Sequence, residues 1–142
     1  MFNLEPTIPE SHRDLLDQPI HAVFTTIMPD GQPQNSVVWC DYDGMTVRVA
    51  TTRESRKGRN MQANPKVTLL VVDPQDPGRW IEVRGEAEIT ETGALEHLDE
   101  LTCQYTSRQH YYDGIIQAEQ QAKETRIICK IRPKRVTLDA VH

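Results

Sequence analysis

Ala50-Thr51-Thr52-Arg53-Glu54-Ser55-Arg56-Lys57-Gly58-Arg59-Asn60 is the stretch around which the rest of the chain organises. Upstream of it, Met45 to Thr52 alternates apolar and polar residues with a period of two, the pattern of a half-buried strand. From Glu54 to Ala63 the alternation stops and Asn64-Pro65 ends the segment, so it reads as a short helix. A strand ending in two hydroxyls therefore feeds a helix whose first turn carries Ser55, Arg56 and Lys57. Hydroxyls, free amide N–H groups and two cations converge there, and the helix N-terminus adds its own partial positive charge. Arginine grips phosphate oxygens bidentately and lysine acts as a point charge, so the arrangement suits a phosphate. An ordinary capped surface helix is the plainer reading of the same residues, with Lys57 an exposed side chain. Gly58 costs a helix about 1 kcal/mol relative to alanine, so packing or a ligand has to hold this one.

Working outward, His21 to Ile27 is rich in β-branched and aromatic residues, and Pro29-Asp30-Gly31-Gln32-Pro33 is a strong turn signal. Gln34 to Cys40 reads as the second strand of that hairpin, and Asp41-Tyr42-Asp43-Gly44 as a further turn. Downstream, Lys66 to Val72 is a buried strand, residues 73–78 form a loop, and Arg79 to Thr90 is a long alternating strand. Gly85 interrupts that strand, which suggests a bulge or a sharp bend of the kind that closes a barrel. Residues 92–124 are helical in character and read as a hairpin of two helices, Gly93 to Tyr105 and Arg108 to Lys123. Thr125 to Arg132 is a last strand, with Pro133 to Leu138 another extended piece. Near the start, Pro9 to Asp17 looks like a short helix with Thr7 as its cap. Six or seven mostly antiparallel strands with covering helices predict an α+β fold, a Greek-key or barrel sheet. Residues 1–142 are expected to form one domain.

Composition narrows the function. Three cysteines, Cys40, Cys103 and Cys129, are widely spaced, which argues for a reduced protein without a disulfide framework or a zinc site. The five histidines are scattered and none is assigned to a metal. A net charge of −5 argues against a general nucleic-acid binder. Within that acidic chain, two basic islands stand out, at residues 53–59 and 123–135, and local anion binding or solvated faces would each explain them. The first eighteen residues have no apolar core of a signal peptide, and no apolar run approaches the ~20 residues that span a bilayer. The expected location is the cytoplasm, with no membrane partner.

The run Thr51-Thr52, Glu54-Ser55-Arg56-Lys57-Gly58, Asn64 to Leu70 and Arg79 to Ala87 resembles the pyridoxamine 5′-phosphate oxidase-like family over about residues 18–90. The resemblance implies a split β-barrel homodimer with its cofactor in a groove between subunits. It also implies that Arg56 and Lys57 are the cofactor-phosphate pair, with Thr51 the hydroxyl residue beside it; Thr52 and Ser55 join the candidate site through the turn itself. The strand Asn35, Ser36, Val37, Val38 and Trp39 corresponds to the one that runs along the cofactor ring. Two departures matter. Trp80 stands where the true pyridoxamine phosphate oxidases carry a flavin-contacting glutamine, and the end of the chain lacks their longer segment for pyridoxal phosphate. The vitamin B6 activity is therefore not carried over. A short chain with Arg79-Trp80 before Val83-Arg84-Gly85 is more similar to the branch that uses the deazaflavin coenzyme F420, whereas other relatives bind FMN or haem.

The expected function is an oxidoreductase in which coenzyme F420, or alternatively FMN, carries the hydride to a small conjugated substrate and the protein supplies binding and orientation. A carrier that only sequesters the cofactor remains the non-enzymatic alternative. No side chain is assigned as a catalyst: Cys40 has no neighbouring base in the sequence that would mark it as a nucleophile. Trp80 and Trp39 are candidates to cover the ring, or else to pack in a core or an interface. Tyr105, Tyr111 and Tyr112 read chiefly as residues packing the hairpin onto the barrel, with the lining of a substrate pocket as the alternative.

Overall fold

In the computed structural model residues 6–139 are described; residues 1–5 and 140–142, His142 among them, lie outside the described residues. A 3-10 turn at Glu10–His12 leads into the one-turn helix α1 (Asp14–Asp17). Pro9 occupies the cap position of that turn without a side-chain bond, so Thr7 is not the cap. Four strands follow: β1 (Ala22–Ile27), β2 (Pro33–Val38), β3 (Cys40–Tyr42) and β4 (Val47–Thr52). Helix α2 (Arg56–Ala63) then carries the chain across to β5 (Lys66–Asp73) and β6 (Asp76–Thr90). Helix α3 (Ala94–Thr106) and a 3-10 turn at Ala118–Lys123 precede β7 (Arg126–Leu138).

All neighbouring strands are antiparallel, in the order β2-β1-β5-β6-β7-β4-β3. The two edge strands, β2 and β3, are joined by one residue, Trp39. Consecutive Cα atoms are only about 3.8 Å apart, so the two edges of this seven-stranded sheet meet at Trp39. That is possible only if the sheet curls round on itself, and the result is the expected split barrel. The strand read as Gln34 to Cys40 is thus two strands broken at Trp39, and Asp41 and Tyr42 belong to β3 instead of to the turn. The reversal is made by Asp43, whose carboxylate accepts from Met45 N (2.9 Å) and Thr46 N (2.6 Å), and by Gly44 at φ 94°.

Inward-facing residues alternate along each strand, as the pleat dictates. Phe24, Val47, Val49, Leu69, Ile81 and Ile131 are among the fully buried ones, and Leu15 and Leu16 of α1 pack into the same core. Truncating one such side chain to alanine costs about 2–5 kcal/mol. The bend anticipated at Gly85 is present: Arg84 pairs with Arg135 and Gly85 with Pro133, leaving Lys134 as the extra residue on β7. A Cβ on Gly85 would collide with the Arg132 carbonyl oxygen, so the barrel bends where no side chain obstructs it. Pro133 brings no N–H to this irregular point, which lets β7 run through it as one strand.

The second arm of the anticipated helical hairpin is not an α-helix. The chain leaves α3 at Ser107 (φ 66°), passes through an irregular segment with Asp113 at φ 67°, and regains regularity only at the 3-10 turn. The residues that suggested a helical stripe do not share a face: Tyr112 is buried, whereas Ile115 and Ile116 are exposed. Helix α3 itself is fixed to the barrel through His97, whose Nε2 lies 3.1 Å from Asp41 Oδ1. Asp41 also takes a bidentate pair of bonds from Arg48 at 2.8 and 2.7 Å. Burial works to raise the Asp41 carboxyl, but the bonds from His97 and Arg48 outweigh it and hold the group below the usual range.

Candidate functional site: a cationic cavity at the start of α2

The strand-to-helix turn is built by its own hydroxyls. Ser55 Oγ donates to the Thr52 carbonyl (2.8 Å) and accepts from Gly58 N (3.0 Å). With its single hydrogen committed to Thr52, Ser55 can only accept from Thr51 Oγ1 at 3.0 Å, so the Thr51 hydroxyl is the donor. Thr52 Oγ1 accepts from Ser55 N at 3.1 Å. Ser55 is therefore the cap of α2, and Gly58 is explained by the same turn. A Cβ there would collide with the Thr52 carbonyl oxygen, so glycine lets the helix seat directly on the strand end. The N–H groups of Arg56 and Lys57, in the first turn, have no partner within the helix.

Beside this turn lies an open cavity of about 340 Å³. The end of β2 and the edge junction supply one wall, Val37, Val38 and Trp39. The end of β4 supplies Ala50, Thr51 and Thr52, and α2 adds Ser55 and Lys57. Leu98 and Leu101 of α3 form an apolar side. Tyr111, Glu124, Arg126 and His21 complete the lining. Trp39 is held rigidly: its ring stacks on Tyr105 at 5.3 Å and 16°, and Tyr111 meets it edge-on at 6.4 Å. Tyr105 is itself pinned between strands, bonded through its hydroxyl to the backbone of Ile20 and Cys40.

Lys57 is half-buried, not exposed. Burial lowers its pKa below the usual lysine value, and the nearby Arg126 lowers it further; no carboxylate counters either effect. Arg126 comes from the first position of β7, in register with Thr52 of β4. Its Nε donates to Tyr112 Oη at 2.8 Å, and its guanidinium lies over the Tyr111 ring at 4.7 Å. Tyr112 Oη in turn donates to Glu124 Oε1 at 2.9 Å. Burial pushes the Cys40 thiol up to about 12, which leaves it inert at neutral pH.

Seven of the eleven residues singled out in the sequence, Val37, Val38, Trp39, Thr51, Thr52, Ser55 and Lys57, share this cavity. Asn35 and Ser36 sit further along β2: Asn35 Oδ1 accepts from Thr25 Oγ1 at 2.6 Å, and the buried Ser36 Oγ has no partner among the described residues. Arg56 does not line the cavity; it donates to Asn60 Oδ1 at 3.3 Å, one turn along α2. Trp80 lies on β6, its backbone N–H bonded to Asp139, and is not among the residues lining the cavity of its own chain. Arg126, Glu124 and the α3 leucines were not anticipated. Of these, Arg126 had a visible signal, the second basic island, whose other members Arg132 and Lys134 reach outward to Glu88 and Glu86.

Fold and site together define a split-barrel protein with the architecture of a flavin- or deazaflavin-type oxidoreductase. The chain belongs to the pyridoxamine 5′-phosphate oxidase family, which it matches over residues 8–138. It is similar to the structure of an F420 reductase, with a TM-score of 0.77 and 33% identity, covering 92% of this chain and 98% of that one. It is similar in fold to a conserved hypothetical protein of Mycobacterium tuberculosis (TM-score 0.72, 24% identity, 98% and 89% covered). The fold is shared as well with a putative pyridoxamine 5′-phosphate oxidase from Listeria innocua (TM-score 0.61, 20% identity, 83% and 86% covered). No curated protein sequence matches the chain.

Proposed function

We propose that this protein is a cytoplasmic, homodimeric oxidoreductase that binds coenzyme F420 in the cavity at the start of α2 and reduces a small conjugated substrate. The observation that carries the reading is Lys57: a half-buried cation with no acidic group acting on it, beside a hydroxyl-lined helix N-terminus. A desolvated positive charge without a partner is costly in a folded protein, and an anionic ligand is what would offset it. The likeness to an F420 reductase at 33% identity favours the deazaflavin over FMN.

The residues fit a cofactor made of a flat ring and a phosphate. Lys57 and the first-turn N–H groups of α2 would hold the phosphate. Val37 to Trp39 would flank the ring, and the Tyr105 stack keeps Trp39 from collapsing into the space. When bound, a reduced deazaflavin supplies a hydride to an electron-poor double bond. The apolar α3 wall of Leu98 and Leu101 would keep water from that face.

An exposed apolar stripe supports the dimer. Val23 pairs with Val37 on one side and with Leu70 on the other, and Val72 pairs with Trp80. Val23, Val37 and Val72 are all exposed, with Val37 at 68%. A second copy seated on this face would cover it and bring Trp80 to the partner's ring site.

Side-by-side fluorescence titration with F420 and FMN tests the reading, followed by turnover of reduced F420 with a conjugated enone. Tighter binding of F420 with oxidation of the reduced form supports it. Preferential retention of FMN as a yellow chromophore would replace the deazaflavin, and binding without any turnover would make the protein a carrier.

A further inference from the structure

Arg126 stands out among the residues of the cavity because its placement is elaborate and its charge is only partly met. Its side chain is 12% exposed. Three contacts fix it: the bond from Nε to Tyr112 Oη, and the faces of Tyr111 and Tyr112 at 4.7 and 5.5 Å from its central carbon. The carboxylate nearest to it, Glu124, lies 3.9 Å from Nη2 and already accepts the shorter bond from Tyr112 Oη at 2.9 Å. Glu124 is also the only carboxylate among the cavity's described lining residues, set against two cations, Lys57 and Arg126.

Two like charges directed into one partly desolvated space repel each other. That repulsion is relieved where an anion sits between them. The fork of a guanidinium held at its Nε presents its terminal N–H groups for bidentate contact with a phosphate, which a lysine cannot offer. Arg56 is engaged with Asn60, one turn along α2, and does not line the cavity. The guanidinium that faces the cavity therefore comes from β7 and not from the helix.

We propose that Arg126, positioned by Tyr112 and Glu124, is the second cation that grips the cofactor's phosphate, opposite Lys57. This rests on the reading that the phosphate lies in this cavity. Arg126 thereby selects phosphate-bearing ligands over the bare ring system, and Tyr112 acts as a positioning residue that holds the guanidinium at the working angle.

The test uses the full chain and four variants, Arg126→Gln, Arg126→Lys, Tyr112→Phe and Lys57→Ala. Each is titrated with F420 and with its phosphate-free deazaflavin chromophore, and in parallel with FMN and riboflavin. Loss of a charge-assisted contact should weaken binding of the phosphate-bearing ligands roughly ten- to a hundredfold in Arg126→Gln. The phosphate-free ligands should bind as they do to the parent. Arg126→Lys keeps the charge without the fork and should recover part of the loss, and it serves as the readout if Arg126→Gln does not fold. Tyr112→Phe should lose a smaller factor, again only for the phosphate-bearing ligands. If Lys57→Ala is weakened and Arg126→Gln is not, the assignment of Arg126 is wrong while the phosphate site stands. If Arg126→Gln loses affinity equally for both kinds of ligand, its role is structural and the proposal fails. If neither substitution matters, the phosphate is not in this cavity and both readings fall together.

Discussion

Thr52 and Arg126 face each other in register across β4 and β7, although 74 positions separate them in the chain. Thr52 is the residue from which α2 springs: its carbonyl receives the Ser55 hydroxyl and its Oγ1 receives Ser55 N. The pairing of two strands thus sets a guanidinium beside the first turn of a helix, and the spacing between Lys57 and Arg126 follows from sheet register. Register is strongly specified in a buried barrel, because a one-residue slip would turn every core side chain outward.

Lys57 carries a cost in the free protein that has a definite sign. Its folded-state pKa is lowered by burial and by Arg126, so the unfolded chain holds that proton more readily than the folded one. Stability contributed by this group therefore rises with pH between the lowered pKa and the unfolded value near 10.5. Replacing Lys57 by methionine should raise the midpoint of chemical denaturation of the cofactor-free protein at neutral pH. The advantage should shrink as the pH climbs toward that unfolded value. Denaturation curves at several pH values measure this; a variant less stable than the parent at neutral pH would show that the lysine has a compensating partner.

Gly58→Ala inverts the ordinary helix expectation. In a solvent-exposed helix the change would gain about 1 kcal/mol. Here the new methyl would collide with the Thr52 carbonyl oxygen, a backbone atom that cannot swing aside, so α2 must lift off β4. Thermal unfolding should show a lower midpoint, with cofactor affinity reduced as well because the site is built on that junction. A higher melting temperature would contradict the close seating of α2.

A dimer formed through the exposed Val23–Val37 face should be visible by light scattering as twice the chain mass. Val72→Asp, opposite Trp80 and outside the cavity lining, should shift the protein toward monomer and weaken the cofactor through loss of the partner's tryptophan. Trp80→Ala should weaken the cofactor while the dimer persists. A parent protein that is monomeric at micromolar concentration would remove both expectations.

Much of this architecture was legible from residue patterns. Alternation marked β4 and β6, β-branched and apolar content marked β1 and β5, and Gly85 marked the bend, because the backbone collision that requires glycine there leaves a mark in the sequence itself. The break at Trp39 was not legible. Residues 34–40 contain no glycine or proline to mark a break, and only closure of the barrel separates the two edge strands at Trp39. Nor was the loss of the second helix, since Tyr112, Ile115 and Ile116 have helical spacing while tertiary contacts draw Tyr112 alone into the core. The strand-to-helix turn was read correctly as a hydroxyl-rich junction, but not that Lys57 alone of the two cations lines the cavity while Arg56 bonds Asn60. Arg126 stayed hidden in a basic run because Arg126, Lys130 and Arg132 share one face of β7, and only register with Thr52 sets Arg126 beside α2.

The central claim is that a phosphate is held at Lys57, and one comparison tests it most directly. The affinities of F420 and of its phosphate-free chromophore are measured for the parent and for Lys57→Ala, at low and at raised salt. The parent should prefer the phosphate-bearing cofactor by roughly ten- to a hundredfold, a preference that salt diminishes. Lys57→Ala should lose most of that preference and most of its salt dependence, with the phosphate-free ligand unaffected. A Lys57→Ala protein that binds F420 as tightly as the parent, with the same response to salt, would contradict the assignment.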